Sequence, residues 1–140
     1  MIVVDTNVAS ELMRPTPSPP VVAWVQARRA SGLYATSITF AEVLYGIERL
    51  AESRRKDLLR AAATEVFAAF ADHVLAFDGK AAVHYAAVAA GRERAGAPIS
   101  GFDAQIAAIC RVHDAKLATR NTRDFLDTGI SVVDPWLDRA

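Results

Sequence analysis

The sequence predicts an α/β fold: one domain with a short parallel sheet at its centre and helices on both faces. Five apolar runs of three or four residues are separated by stretches whose apolar residues recur at helical spacing. Strands this short, alternating with helices, pair in parallel, because each crossover helix carries the chain back to the same end of the sheet. The length of 140 residues allows one core and no second.

Ile2-Val3-Val4 is a β-branched run that stops at Asp5-Thr6-Asn7, a helix-start signal. A short helix over Val8–Met13 should follow and end near Arg14, because four of the six prolines fall at 15, 17, 19 and 20. Pro20 suits the first turn of a second helix, Val21 to Ala30, with Val21, Val22, Trp24 and Val25 as its buried stripe. Leu33–Thr36 reads as the second strand and Thr39–Leu50 as a helix. After the charged stretch Ser53–Lys56, another helix should run to about Asp72, burying Leu59, Ala63, Val66 and Phe70. Val74–Phe77 is the third strand and Lys80–Arg94 an Ala-rich helix. Ala95–Pro98 breaks the chain, and Ser100 opens a helix that turns Ile106, Ile109 and Cys110 inward. Lys116–Thr119 and Ile130–Val133 complete the strands.

Composition narrows the function. Hydrophobic residues make up 52%, but 28 of them are Ala, so about a third of the chain carries larger apolar groups. Sixteen basic against sixteen acidic residues give zero net charge, which excludes nucleic-acid binding by bulk attraction. Single Cys110 excludes an internal disulfide. His73, His84 and His113 lack zinc-ligand spacing. No Gly-rich phosphate loop occurs. Without an apolar run of eighteen residues or a signal-like start, the expectation is a soluble, cytoplasmic chain.

In an open parallel sheet, ligands bind beyond the carboxyl ends of the strands. Asp5 ends the first strand, Glu42 lies one turn into the helix after the second, and Asp103 is in the first turn of the helix leading into the fourth. Asn121 and Asp124 directly follow the fourth, so four segments send acids or an amide toward one end of the sheet. Each has an ordinary explanation, since Thr39-x-x-Glu42, Ser100-x-x-Asp103 and Asn121-x-x-Asp124 all fit helix capping boxes. The combination favours chemistry. Asp5, Glu42 and Asp103 adjoin apolar runs, with no Lys or Arg next to them in sequence, and converging carboxylates in dry surroundings need a counter-charge. A hard divalent cation such as Mg²⁺ supplies it.

These residues also occur in a known order. Ile2-Val3-Val4-Asp5-Thr6-Asn7, Ser37-x4-Glu42 with Tyr45-Gly46, Asp103–Ala108, and Ala118-Thr119-Arg120-Asn121-x2-Asp124-Phe125 resemble the PIN-domain toxin ribonucleases of type II toxin–antitoxin pairs: the VapC family, and more closely its FitB-like members. The likeness covers residues 1–140 as one PIN domain and includes Ser10–Pro15 and Val133–Trp136. It implies a metal-dependent endoribonuclease using Mg²⁺, with Mn²⁺ as the alternative. The acidic core would be Asp5, Glu42 and Asp103, with Asp124 as a fourth acid and Asn121 as a polar contributor. Thr6, Asn7, Ser37 and Thr119 would orient the carboxylates. The resemblance further implies a cognate DNA-binding antitoxin (VapB-like or FitA-like), an RNA substrate and a homodimer.

The expected reaction is metal-assisted attack of water on an RNA phosphodiester, leaving 5′-phosphate and 3′-hydroxyl ends. Arg14, Arg92, Arg120 and Arg123 are candidate RNA contacts. Two alternatives stand beside this reading. One is an Mg²⁺-dependent phosphatase with Asp5 as nucleophile, against which Asn7 stands where a second Asp is wanted. The other is a catalytically degenerate binding module.

Overall fold

The computed structural model describes residues Met1–Arg139. The chain runs β1 (Ile2–Val4), α1 (Thr6–Leu12), α2 (Pro19–Arg28), β2 (Leu33–Thr36), α3 (Ser37–Glu48), α4 (Arg54–Ala69) and β3 (Val74–Leu75). It continues through α5 (Gly79–Arg94), α6 (Gly101–Val112), β4 (Lys116–Ala118) and β5 (Val132–Val133), with 3₁₀ turns at Arg29–Ser31 and Thr122–Phe125. Every strand pairing is parallel, in the order β3-β2-β1-β4-β5. The predicted α/β architecture is the observed one.

Side-chain alternation along the strands builds two cores. Val3 and Leu117 face α5 and α6, where Val88, Ala104, Ile106, Ala107 and Cys110 close over them. Val4, Leu33, Ala35 and Ala118 face the opposite side, against Val8, Val21, Trp24 and Phe70. Buried Ala81, Ala104, Ala107 and Ala108 explain the alanine bias of α5 and α6, because small side chains let the helix backbones approach each other and the sheet.

Element ends differ from the sequence reading by a few residues, for local reasons. The third strand stops at Leu75 because β2, its only partner, ends at Thr36 and turns directly into α3. Phe77 then gives its N–H to Ser37 Oγ (3.3 Å) instead of to a strand. The first helix starts at Thr6 because Asp5 already caps it.

The topology positions the site. From β1 the chain moves through β2 to β3 on one side, then returns to place β4 on the other. The crossovers from β1 and from β4 therefore diverge, opening a crevice where Asp5 and Thr119 end neighbouring strands. Among the described residues, no helix is long and apolar enough to cross a membrane.

Candidate active site

Asp5 leaves β1 at the crevice and is almost wholly buried, at 4% exposure. Its Oδ1 accepts the Thr6 N–H (2.8 Å) and its Oδ2 accepts the Thr119 hydroxyl (2.8 Å). Having donated to Asp5, Thr119 Oγ1 accepts from Asn7 Nδ2 (3.0 Å) and from the Asn121 N–H (3.1 Å). Asn7 Oδ1 accepts the Arg120 N–H (3.1 Å), which settles the orientation of the amide. The residues after β4 are thus tied to those after β1 through two side chains.

A second hydroxyl chain ends on Glu42. Thr36 Oγ1 donates to Thr39 Oγ1 (3.4 Å), Thr39 Oγ1 lies 3.1 Å from Thr6 Oγ1, and Thr6 Oγ1 donates to Glu42 Oε1 (2.8 Å). An ionised carboxylate only accepts, so the proton of every hydroxyl points toward Glu42. Glu42 is therefore not the back-bonding member of a capping box. The cap of α3 is Thr36, whose Oγ1 accepts the Thr39 N–H (3.1 Å). Asp103 stands in the first turn of α6, and its N–H donates to the capping Ser100 hydroxyl (3.2 Å).

Asp5, Glu42 and Asp103 line one open cavity of about 520 Å³, together with Thr6, Asn7, Asn121, Arg120 and Trp136. All three carboxyls titrate above their ordinary values. Burial is the main cause at each, and it lifts Asp5 to about 6 against the hydrogen bonds from Thr119 and Thr6. Mutual repulsion adds to it: Asp103 and Glu42 act on Asp5, Asp103 acts on Glu42, and Asp124 acts on Asp103. Among the described residues none of the three pairs with a Lys or Arg.

That donor set suits a hard cation. It consists of oxygens only, Asp5 is buried with Glu42 and Asp103 half-buried, and the one cation that draws a carboxyl of the set down, Arg92 at Asp103, forms no ion pair with it. Among the described residues no three acidic, His or Cys side chains stand close enough to enclose an ion alone. An ion such as Mg²⁺, which keeps several waters and needs only one or two carboxylates, fits this arrangement better than one requiring a full protein cage.

The PIN-domain pattern matches residues 2–130. The chain belongs to the PIN-domain family. Toxin FitB of Neisseria gonorrhoeae is 34% identical to it over 139 residues, covering 99% of this chain and 100% of that protein. VapC ribonuclease Y4jK of Sinorhizobium fredii is 36% identical over 137 residues, covering 97% and 98% respectively. The solved structure of FitAB bound to IR36 DNA fragment superposes with a TM-score of 0.88 at 33% identity, covering 100% of this chain and 99% of that one.

Within this PIN domain, the site residues expected from the sequence fall into three groups. Asp5, Glu42, Asp103, Thr6, Asn7 and Asn121 share the cavity, and Thr119 braces Asp5 from beneath it. Asp124 does not line the cavity with them but sits near enough to Asp103 to raise its pKa. Ser37 makes no hydrogen bond to these carboxylates; its Oγ instead accepts the Phe77 N–H (3.3 Å). Buried Arg92 is not available to RNA: it donates to the carbonyls of Ala97 (2.6 Å), Asp124 (2.7 Å) and Leu126 (3.0 Å). Cys110 is core, its thiol pushed up to about 12 by burial.

Thr39 and Glu11 take parts that sequence reasoning did not assign them. Glu11 is buried at the cavity wall, accepting from Arg14 Nη1 (3.0 and 3.2 Å) and from the Ser18 N–H (2.8 Å). These bonds hold its carboxyl below the usual range. The i,i+3 spacing of Glu11 and Arg14 was a legible signal for that pair.

Proposed function

We propose that this PIN domain is the toxin of a type II toxin–antitoxin pair, a divalent-cation-dependent endoribonuclease held inactive by its antitoxin. One observation carries the reading. Three carboxylates from separate segments line one cavity at the switch point of the sheet, each raised by burial and, among the described residues, none in an ion pair. A toxin and a ribonuclease among the full-length relatives support it.

In this reading Asp5 and Asp103 would hold the cation, and Glu42 would help orient it or accept a proton from the attacking water. Asp124 reinforces the negative field at Asp103. The bound cation, Mg²⁺ or Mn²⁺, supplies a Lewis acid that lowers the pKa of water and offsets charge on the phosphate. Thr119 and Thr6 fix the carboxylate planes of Asp5 and Glu42, so orientation is in place before substrate arrives. Attack by water needs no ribose 2′-hydroxyl, so the products carry 5′-phosphate and 3′-hydroxyl ends.

The antitoxin would occupy the large groove that adjoins the acids. About 1140 Å³ in volume, it is lined by Met13, Val43, Ile47, Leu58 and Leu59 and shares Thr6, Arg14 and Glu42 with the acidic cavity. An apolar segment lying there could deliver a cationic side chain to the acids. The same reading includes a homodimer, which sedimentation of the purified chain tests.

Cleavage of RNA by the purified chain, with and without EDTA, is the deciding experiment. Asp5→Asn and Asp103→Asn are each expected to lower kcat at least about a hundredfold, the scale of losing an electrostatic catalytic group. Equal cleavage by wild type and Asp5→Asn would remove the site, and 2′,3′-cyclic phosphate ends would remove the mechanism.

A further inference from the structure

Arg120 directly follows Thr119, at the mouth of the acidic cavity. Its backbone is registered to the acid-bearing segment by the bond from its N–H to Asn7 Oδ1. Its guanidinium carbon lies 4.9 Å from the centroid of the Trp136 ring. Trp136 is itself anchored: its backbone N–H donates to Asp134 Oδ1 (2.8 Å), and its ring packs at the edge of the core containing Trp24 and Ala118. Among the described residues no carboxylate forms an ion pair with Arg120, whereas Arg14, the other arginine of the cavity, is held by Glu11.

This geometry leaves a specific capability. A guanidinium carbon over an aromatic ring leaves the N–H donors directed outward from it, so they can still serve a bidentate acceptor. The acceptor that an acidic cavity needs help in attracting is a phosphate. Zero net charge supplies no bulk attraction, and the carboxylates repel a polyanion.

We propose that Arg120, pre-oriented by Trp136, grips the RNA backbone beside the scissile phosphate and so sets where the strand lies over the acids. The proposal rests on the ribonuclease reading and adds a substrate-positioning residue to it.

The test uses a short single-stranded RNA and the variants Arg120→Ala, Arg120→Lys and Trp136→Phe. Arg94→Ala, which removes an exposed charge from the end of α5, serves as the charge-matched control. Arg120→Ala should raise KM about tenfold, the worth of one charge-assisted hydrogen bond, with kcat within about twofold of wild type. Its plot of log(kcat/KM) against log salt should be shallower by about 0.7, one phosphate contact on a single strand. Arg120→Lys should keep the salt slope and recover part of KM. Trp136→Phe, which retains an aromatic face, should stay within about threefold of wild type, and Arg94→Ala should change neither quantity. An unchanged KM and salt slope in Arg120→Ala, or an equal change in Arg94→Ala, would overturn the proposal. RNA binding without cation in an Asp5→Asn background separates this inference from the reading beneath it. If wild type cleaves no RNA, the ribonuclease reading fails, and Arg120 is judged by binding alone. A tenfold weaker complex upholds the contact, and equal affinity removes it.

Discussion

At the scale of single residues, Asp5 balances two opposing effects. Hydrogen bonds from Thr119 and Thr6 favour its anion, but burial outweighs them and lifts the carboxyl from 3.8 to about 6. The consequence for stability follows from linkage. Below pH 3.8 the group is protonated in folded and unfolded chains alike, and nothing is lost. Between 3.8 and about 6 only the folded chain keeps the proton, so stability falls as pH rises. Above about 6 the full penalty is present. In EDTA at pH 7, Asp5→Asn is therefore expected to stabilise the fold by roughly 1–3 kcal/mol, a gain that shrinks to nothing by about pH 4. Urea unfolding at the two pH values checks it. Added Mg²⁺ or Mn²⁺ should raise the melting temperature of the wild type and leave Asp5→Asn unmoved. The acids were legible because a carboxylate beside Val3-Val4 or Ile106 is chemically out of place. Thr6 and Thr119 were also legible as residues to orient them, but which acid each hydroxyl serves was not, because Thr119 stands 114 residues from the Asp5 it braces and the Thr6 hydroxyl reaches Glu42 rather than its neighbour's carboxylate.

At the scale of elements, two cations prove to be internal fastenings. The guanidinium of Arg92 joins α5 to the Ala95–Pro98 break and to the Thr122–Phe125 turn by donating to three carbonyls. Buried Lys56 donates to the carbonyls of Glu48 and Leu50, which the end of α3 leaves without helical partners. In the sequence, Arg92 looked no different from an arginine free to meet phosphate. Whether an arginine is exposed depends on which carbonyls the fold leaves open nearby, and no local pattern records that. Arg92→Ala should destabilise the domain by about 1–3 kcal/mol, since the buried guanidinium that ties three carbonyls together is lost, and Arg92→Lys should recover little because an ammonium cannot fork. Denaturant midpoints read both. Helix and strand identities, by contrast, were readable from periodicity, and their ends shifted only where a cap or a partner strand's length intervened.

At the scale of the whole molecule, the charge balance of zero conceals a polarised surface. The carboxylates gather at one end of the sheet, and an apolar groove with exposed Leu58 runs away from them. In the proposed toxin–antitoxin pair, both the substrate and the inhibitor must approach from that end. Leu58→Glu should weaken antitoxin binding by at least about a hundredfold, the scale of an interface hot spot. Because Leu58 is already 60% exposed in the free chain, its unfolding midpoint should hold. Titration calorimetry and thermal melts measure the two effects. Local periodicity and residue chemistry were enough for the order of strands and helices, the parallel sheet and the expectation that acids at the strand ends form a site. Only the tertiary structure decided that β1 lies beside β4, that Asp5 therefore meets Thr119, and that Asn7 registers Arg120 over Trp136. Strand order is set by non-local pairing and by how each crossover helix packs on the sheet, which is where the acidic crevice is made.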